Sequence, residues 1–209
     1  MKITLLFLLA LSMAQYCNAQ VPASADQAAA KGLKDLQQLA TTSPSGQFGL
    51  QSIEIDKVEL QKPLPVYLVK AEQLASYVDG KNPKDLLTDI HSFVYPVSVA
   101  GTVKSSMQIE ESAGEWRMVA VGRPVFIKNV VSSVDKAGPG AAGAETRIVE
   151  IPALNMYFVA WIKGEDISLA PIDDNAVLNL KAGQQLPATK VFAKLRESAK
   201  KALQNNVPR

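Results

Sequence analysis

Imidazoles and thiols, the side chains that carry much protein chemistry, are scarce in this sequence. His91 is the one histidine of the 209 residues and Cys17 is the one cysteine. Zinc centres need several His or Cys ligands, so a zinc finger or a multi-histidine zinc site is excluded. His91 has Asp89 and Ser92 close in sequence, but no G-x-S-x-G motif of a hydrolase nucleophile is present. We expect His91, at a helix-to-strand junction, to satisfy local backbone groups rather than to act as a general base.

Carboxylate pairs can run acid–base chemistry without His or Cys. They occur at Glu165-Asp166 and at Asp173-Asp174, both in segments where turns are predicted. Neither pair fits the twelve-residue EF-hand loop with its Gly and terminal Glu, and we predict no metal site and no cofactor. Solvated turn acids are the expected role. An exported hydrolase that uses Asp166, Asp173 and Asp174 is the enzyme alternative.

A glycine-rich segment spells G-P-G-A-A-G from Gly138 to Gly143. It matches a phosphate-binding loop only superficially, because Pro139 lacks an N–H that a phosphate cradle would use and no Gly-Lys-Ser/Thr follows. The next segment is rich in β-forming residues, whereas a phosphate loop opens a helix. The composition of residues 135–145 therefore predicts a mobile hairpin or crossover loop.

Large apolar side chains occupy both faces of the clearest late strand, residues 154–162. Tyr157 and Trp161 alternate to one face and Phe158 to the other. One face should meet helices, and the other must also be covered or must form a binding surface. Tyr157 and Trp161, together with Tyr95 from an earlier strand, are therefore the candidate ligand or partner surface.

The first 19 residues have the three-part form of a secretory signal peptide. Lys2 gives the positive end, residues 3–11 form an unbroken apolar run, and Cys17-Asn18-Ala19 is similar to an A-x-A cleavage site. The run is too short to span a bilayer, which takes about 20 residues. We predict cleavage after Ala19, with a second candidate cut after Ala14, and a periplasmic or secreted protein.

Cys17 offers an alternative, a lipid anchor. The bacterial lipobox resembles Leu-(Ala/Ser)-(Gly/Ala)-Cys, but Tyr16 stands where that motif has a small residue. If Cys17 leaves with the signal peptide, the mature chain has no thiol, which suits an oxidising compartment. Such a chain has no thiolate for nucleophilic catalysis, disulfide exchange, iron–sulfur ligation or covalent haem attachment.

Charge is nearly balanced along the chain. Lys and Arg number 22, Asp and Glu number 20, and the formal net charge is +2. A generic nucleic-acid binder would carry a stronger basic excess, so no nucleic-acid partner is expected. The last helix, residues 187–204, is nevertheless basic and amphipathic, and it carries Lys190, Lys194, Arg196, Lys200 and Lys201 against Glu197. We expect a solvated face there, with peripheral contact to an anionic membrane as the alternative. No transmembrane span is predicted.

The hydrophobic periodicity predicts strands in the middle of the chain and helices mainly at its ends. Helical spacing covers residues 24–41 and 187–204, with two short helices at 71–79 and 82–90. Strand patterns cover 50–60, 66–69, 93–100, 103–110, 115–121, 125–131, 146–151, 154–162 and 167–172. Pro63 and Pro65 bracket Leu64 and predict an edge strand or a connection there. Ser24 is the candidate cap of the first helix.

This order of elements predicts the α+β class. We expect a meander-like antiparallel β-sheet, an N-terminal and a C-terminal helix packed on it, and one domain over residues 20–209. The favoured function is an exported, non-enzymatic binding module for a peptide, a partner protein or a small apolar ligand. The alternatives are the carboxylate hydrolase and a structural envelope or assembly protein that acts through its edge strands.

Overall fold

The computed structural model describes residues 21–43, 46, 48–137 and 141–205. The predicted signal peptide, Cys17 and Pro139 lie outside the described residues. The helices are α1 (Ala23–Thr42), α2 (Ala71–Ala75), α3 (Pro124–Lys136) and α4 (Ala188–Asn205). The strands are β1 (Val58–Leu60), β2 (Leu64–Leu68), β3 (Thr88–Val99), β4 (Thr102–Ser112), β5 (Glu115–Gly122), β6 (Glu145–Ile151), β7 (Met156–Lys163), β8 (Asp166–Pro171) and β9 (Leu186–Pro187).

All these strands join one sheet in the order β5-β4-β3-β2-β6-β7-β8-β9, and β1 also pairs with β3. Every strand pair is antiparallel except β2 with β6, which is parallel. The mostly antiparallel sheet with N-terminal and C-terminal helices confirms the α+β prediction. The single parallel pair arises because α3 carries the chain from the β5 edge back to the middle of the sheet.

Two tight hairpins build the β3-β4-β5 side of the sheet. Ala100 and Gly101 connect β3 to β4, and both have positive φ, 48° and 78°. Ala113 and Gly114 repeat this geometry between β4 and β5, with φ of 54° and 82°. Two successive residues in the left-handed region form a turn whose twist matches that of the paired strands. The strands predicted over 103–110 and 115–121 are therefore joined by a tight hairpin.

Helices cover both faces of the sheet. On one face, α1 packs on β4 and β5, and α4 packs beside α2 over β8. On the opposite face, α3 packs on β4 and β7. Strand β7 is therefore buried on both sides, with Phe158 among the residues beneath α4 and Val159 in the core beneath α3.

The segment 125–131, predicted as a strand, is part of helix α3 instead. Its run of β-branched residues favours a strand locally. Pro124, however, occupies the first turn of the helix, where a missing N–H costs nothing. Ile127, Val130 and Ser133 then recur at helical spacing and are buried against the sheet. Tertiary burial of this stripe outweighs the local β-propensity.

Three smaller predictions also differ from the structure. Residues Ser52–Lys57 form a 3₁₀-helix rather than a strand, and Ile53 is exposed. The short helix predicted over 82–90 is a 3₁₀-turn over Pro83–Leu86, since β3 begins at Thr88. The backbone of α1 begins after Pro22 without a side-chain cap, so Ser24 does not cap this helix.

Candidate functional site

The three aromatic residues predicted to form a binding surface occupy different environments. Tyr95 is 2% exposed, and its hydroxyl donates a 2.8 Å hydrogen bond to Asp26 Oδ1 on α1. Trp161 is 3% exposed and packs in the core beneath α3. Neither side chain forms a surface, because each lies on a strand face that a helix covers. Of the three, only Tyr157 reaches solvent, and it is half-buried.

Tyr157 is held by its neighbours rather than presented to solvent. Its hydroxyl donates a 3.0 Å hydrogen bond to Glu150 Oε1, and its ring meets Phe126 edge-on with centroids 5.2 Å apart. The guanidinium of Arg123 lies 4.0 Å from the Phe126 centroid and 4.9 Å from that of Tyr157. Burial, and next the Glu150 charge, raise the pKa of the Tyr157 phenol above its ordinary value. This cluster anchors the start of α3 to the sheet.

His91 lies on a bulge of β3 and is largely exposed. Its backbone φ is 50°, and the register between β2 and β3 shifts at this point. The His91 N–H donates to Asp89 Oδ1 at 2.8 Å, and ring Nδ1 lies 3.1 Å from Glu111 Oε2. The ring thus contacts a carboxylate, not the backbone groups that the sequence predicted. Among the hydrogen bonds of the described residues, none joins this ring to a hydroxyl nucleophile.

The three candidate acids of a hydrolase do not converge. Asp166 begins β8 and Asp173 follows its end, so at 3.3 Å per residue they lie roughly 20 Å apart. Paired catalytic carboxylates of glycosidases work at about 5–10 Å. Asp173 accepts from Asn129 Nδ2, and Asp174 accepts from the backbone N–H of Ala182. In the described part of the chain, His, Cys, Asp and Glu side chains nowhere gather in threes to hold a metal.

Several cations of α4 contact groups on the protein itself. Lys200 Nζ lies 2.8 Å from Glu197, and Lys194 Nζ donates a 3.5 Å bond to the backbone carbonyl of Asn179. Arg196 donates to the carbonyl of Tyr77 at 3.4 Å.

Over the described residues, every helix is too short or too polar to cross a bilayer.

The feature that the sequence did not predict is a cleft between β2 and β6. The parallel ladder joins these strands from Val66↔Ile148 to Leu68↔Glu150, and the N–H of Val69 donates to Glu150 O at 2.9 Å. Bonds of this kind recur at every second residue along a parallel ladder. The next one would therefore run from the N–H of residue 65 to the carbonyl of Thr146. Residue 65 is proline, which has no N–H. The ladder therefore stops, and the two strands separate at this end of the sheet.

This separation leaves a cavity of about 470 Å³. Apolar groups dominate its walls, which come from β2 and the residue before it, from α3, and from the segments that precede β6 and α1: Val21, Pro63, Leu64, Pro65, Val134 and Ala144. Polar groups are few, and they are Lys62, Glu145, Thr146 and Arg147. A hollow beside α3, lined by Val103, Lys128 and other residues, measures about 360 Å³. A mostly apolar cleft with a few convergent polar groups is the usual form of a small-molecule site.

Arg147 is the buried charge of this cleft. Its side chain is 7% exposed, and its Nη2 donates a 2.5 Å bond to Oε2 of Glu145, which is 34% exposed. The guanidinium carbon lies 5.8 Å from the ring centroid of Tyr67. Its Nε finds no hydrogen-bond partner among the described residues. An arginine has five N–H donors, so this guanidinium has donors that the described residues leave unused.

The fold and the cleft define an α+β protein with a ligand-sized cavity in its sheet. Comparisons with protein-family models, with curated proteins and with solved structures found no match to the chain. The residues of the cleft are therefore the basis on which a function is inferred.

Sequence signals for this cleft existed but were incomplete. Of the predicted edge strand or connection, Pro63 lies in the connection between β1 and β2, whereas Pro65 lies in β2, an inner strand whose pairing with β6 ends there. Arg147 alternates with Ile148 along β6 and therefore shares a face with Val149, an inward position where arginine is unusual. The parallel pairing of β2 with β6 brings these signals together, and local sequence patterns do not specify that pairing.

Proposed function

We propose that the protein is an exported, non-enzymatic binding module that holds a small, largely apolar molecule in the cleft between β2 and β6. The observation that carries this proposal is the cavity of about 470 Å³ with apolar walls where Pro65 ends the parallel ladder. Its volume falls within the range of about 300–1,000 Å³ typical of ligand sites. Export is supported by the signal-like residues 1–19.

Rigid walls favour binding at this position. Pro63 and Pro65 restrict the backbone just before and within β2, and Val134 belongs to a helix packed on the sheet. A preformed cavity spares a ligand the entropic cost of ordering loops on binding. Burying an apolar ligand removes its surface from water, at about 25 cal/mol per Å² of area.

Filling the cavity with a side chain tests the binding function. Ala144→Phe places a ring in the cleft, and Ala30→Phe adds the same ring to the exposed side of α1. We expect the wild-type protein and Ala30→Phe to bind 1-decanol in calorimetric titrations and Ala144→Phe to bind it at least tenfold more weakly. Circular dichroism verifies that both variants fold. Equal binding by Ala144→Phe, or no wild-type binding of either decanol or decanoate, overturns the proposal.

The export step has a separate test. Mass spectrometry of the chain produced in a bacterial host should give a mature protein in the periplasm or medium that begins at Gln20. A lipid-modified mass at Cys17 would support the membrane-anchored alternative. Retention of the full 209-residue chain in the cytoplasm would contradict export.

A further inference from the structure

A buried guanidinium without full hydrogen bonding is costly to a fold. Arg147 is 93% buried by side-chain area, since 7% remains exposed, and Glu145 is its ion-pair partner. Desolvated charges are tolerated when they are paired and their donors are satisfied. Here Nε is buried and remains without a partner among the described residues, and Arg147 is one of the residues that line the cleft. The guanidinium beside the cleft therefore has donor capacity that the described residues leave unused.

We propose that Arg147 binds the carboxylate of an apolar organic acid, and that Glu145 occupies part of this position when the cleft is empty. This inference rests on the proposed binding function and adds the chemical class of the ligand. The apolar body of the acid lies against Pro63, Leu64 and the other apolar walls. Its carboxylate accepts hydrogen bonds from N–H groups of the guanidinium. The planar guanidinium can donate to both carboxylate oxygens at once.

Glu145 acts as an internal competitor for the guanidinium. One-third of its side chain is exposed, so the carboxylate can turn toward solvent without being buried unpaired. In the empty cleft it neutralises Arg147 and reduces the cost of the buried charge. When a ligand carboxylate replaces Glu145, the guanidinium charge of Arg147 remains paired.

The surrounding charges and shape favour a monocarboxylate over a phosphate. Lys62 at the rim and Arg147 give two cations against the one carboxylate of Glu145, so the cleft has a positive balance. Phosphate sites commonly use a helix N-terminus or a nest of backbone N–H groups. The lining of this cleft instead combines strand residues, a buried arginine and apolar side chains.

Two probes of the same chain length test the carboxylate preference. Decanoate and 1-decanol differ in their head group, and calorimetry at pH 7 gives both affinities. We expect the wild-type protein to bind decanoate about 10–100-fold more tightly, the range for a charge-assisted hydrogen bond. Arg147→Met should bind both probes equally. Glu145→Gln should bind decanoate several-fold more tightly than the wild type, with decanol unchanged.

Arg196→Met is the matched control. Arg196 also has an Nε without a hydrogen-bond partner among the described residues, but it lies on α4, away from the cleft. This variant loses the same charge and should keep the decanoate preference. If Arg147→Met fails to fold, Arg147→Lys keeps the charge but loses the planar fork, and the preference should fall.

A second measurement reports on the carboxylate itself. Carbon-13 NMR of decanoate labelled at C1 should show the bound acid remaining ionised to a lower pH than the free acid, and Arg147→Lys should reduce this difference. Equal wild-type affinity for the two probes, or an unchanged preference in the folded Arg147 variant, overturns the inference while leaving the binding function intact. Failure of both probes to bind overturns the binding function itself.

Discussion

Replacing Pro65 tests the physical origin of the cleft. Pro65→Ala restores an N–H at the position that faces the carbonyl of Thr146. We expect the parallel ladder to extend by one hydrogen bond, which narrows the cleft and weakens 1-decanol binding. The wild-type ladder begins at Val66↔Ile148, so the new bond would lie directly next to existing ones.

The expected change in stability is small because two effects oppose each other. A new backbone hydrogen bond contributes about 0.5–1.5 kcal/mol. Loss of proline frees the unfolded chain and costs about 0.4–1 kcal/mol. The net change in unfolding free energy should therefore lie within about 1 kcal/mol of zero. A melting curve does not distinguish an extended ladder from an unchanged one.

Amide hydrogen exchange is the decisive measurement. The amide at residue 65 exists only in the variant, and a ladder bond that opens at a cost of about 3 kcal/mol slows its exchange about 100-fold. Pro124→Ala is the control, because residue 124 lies in the first turn of α3, where an N–H has no intrahelical acceptor. If amide 65 exchanges as fast as amide 124, proline is not the reason that β2 and β6 separate.

Three further predictions concern the core, the pH dependence of stability and a close approach between two backbone segments. Trp161→Ala should reduce the unfolding free energy by about 3–5 kcal/mol in urea titrations, because the indole is 3% exposed. Burial, and next the hydrogen bond to Asp26, raise the pKa of Tyr95 above the ordinary value of 10.0. The stabilising contribution of Tyr95 is therefore complete below pH 10 and is lost as the pH rises further, so Tyr95→Phe should reduce the loss of stability between pH 9 and 11. Gly49 has a φ of 77°, and a Cβ there would lie 2.3 Å from the carbonyl oxygen of Lys104, so Gly49→Ala should cost about 1–3 kcal/mol in thermal unfolding.

Each of these predictions has a result that would contradict it. A Trp161→Ala protein with unchanged stability would place the indole outside the core. A Tyr95→Phe protein with the full alkaline loss would assign that loss to other groups. Gly46 shares the positive φ, at 84°, but a Cβ there meets nothing within 4 Å. Equal costs for Gly46→Ala and Gly49→Ala would show that the close approach to Lys104 is unimportant.

Local sequence patterns predicted the elements for which local propensity and burial in the fold favour the same secondary structure. The strand over Glu145–Ile151 and the helix Ala188–Asn205 follow the expected periods within a few residues. The turn at Ala113-Gly114 is likewise a local feature, because two adjacent residues with positive φ set its conformation. Local patterns do not predict helix α3, because its β-branched residues favour a strand whereas its buried residues recur at helical spacing.

The sequence by itself determined the α+β class, the near-neutral charge and the scarcity of imidazole and thiol groups. These properties depend on composition and on periods of a few residues. Only the tertiary structure decided that β2 and β6 are parallel neighbours, that Tyr95 and Trp161 are covered by helices, and that Arg147 lines a cavity beside Pro65. Such pairings join segments about 80 residues apart, and their energies depend on which surfaces are buried together rather than on any local preference of the chain.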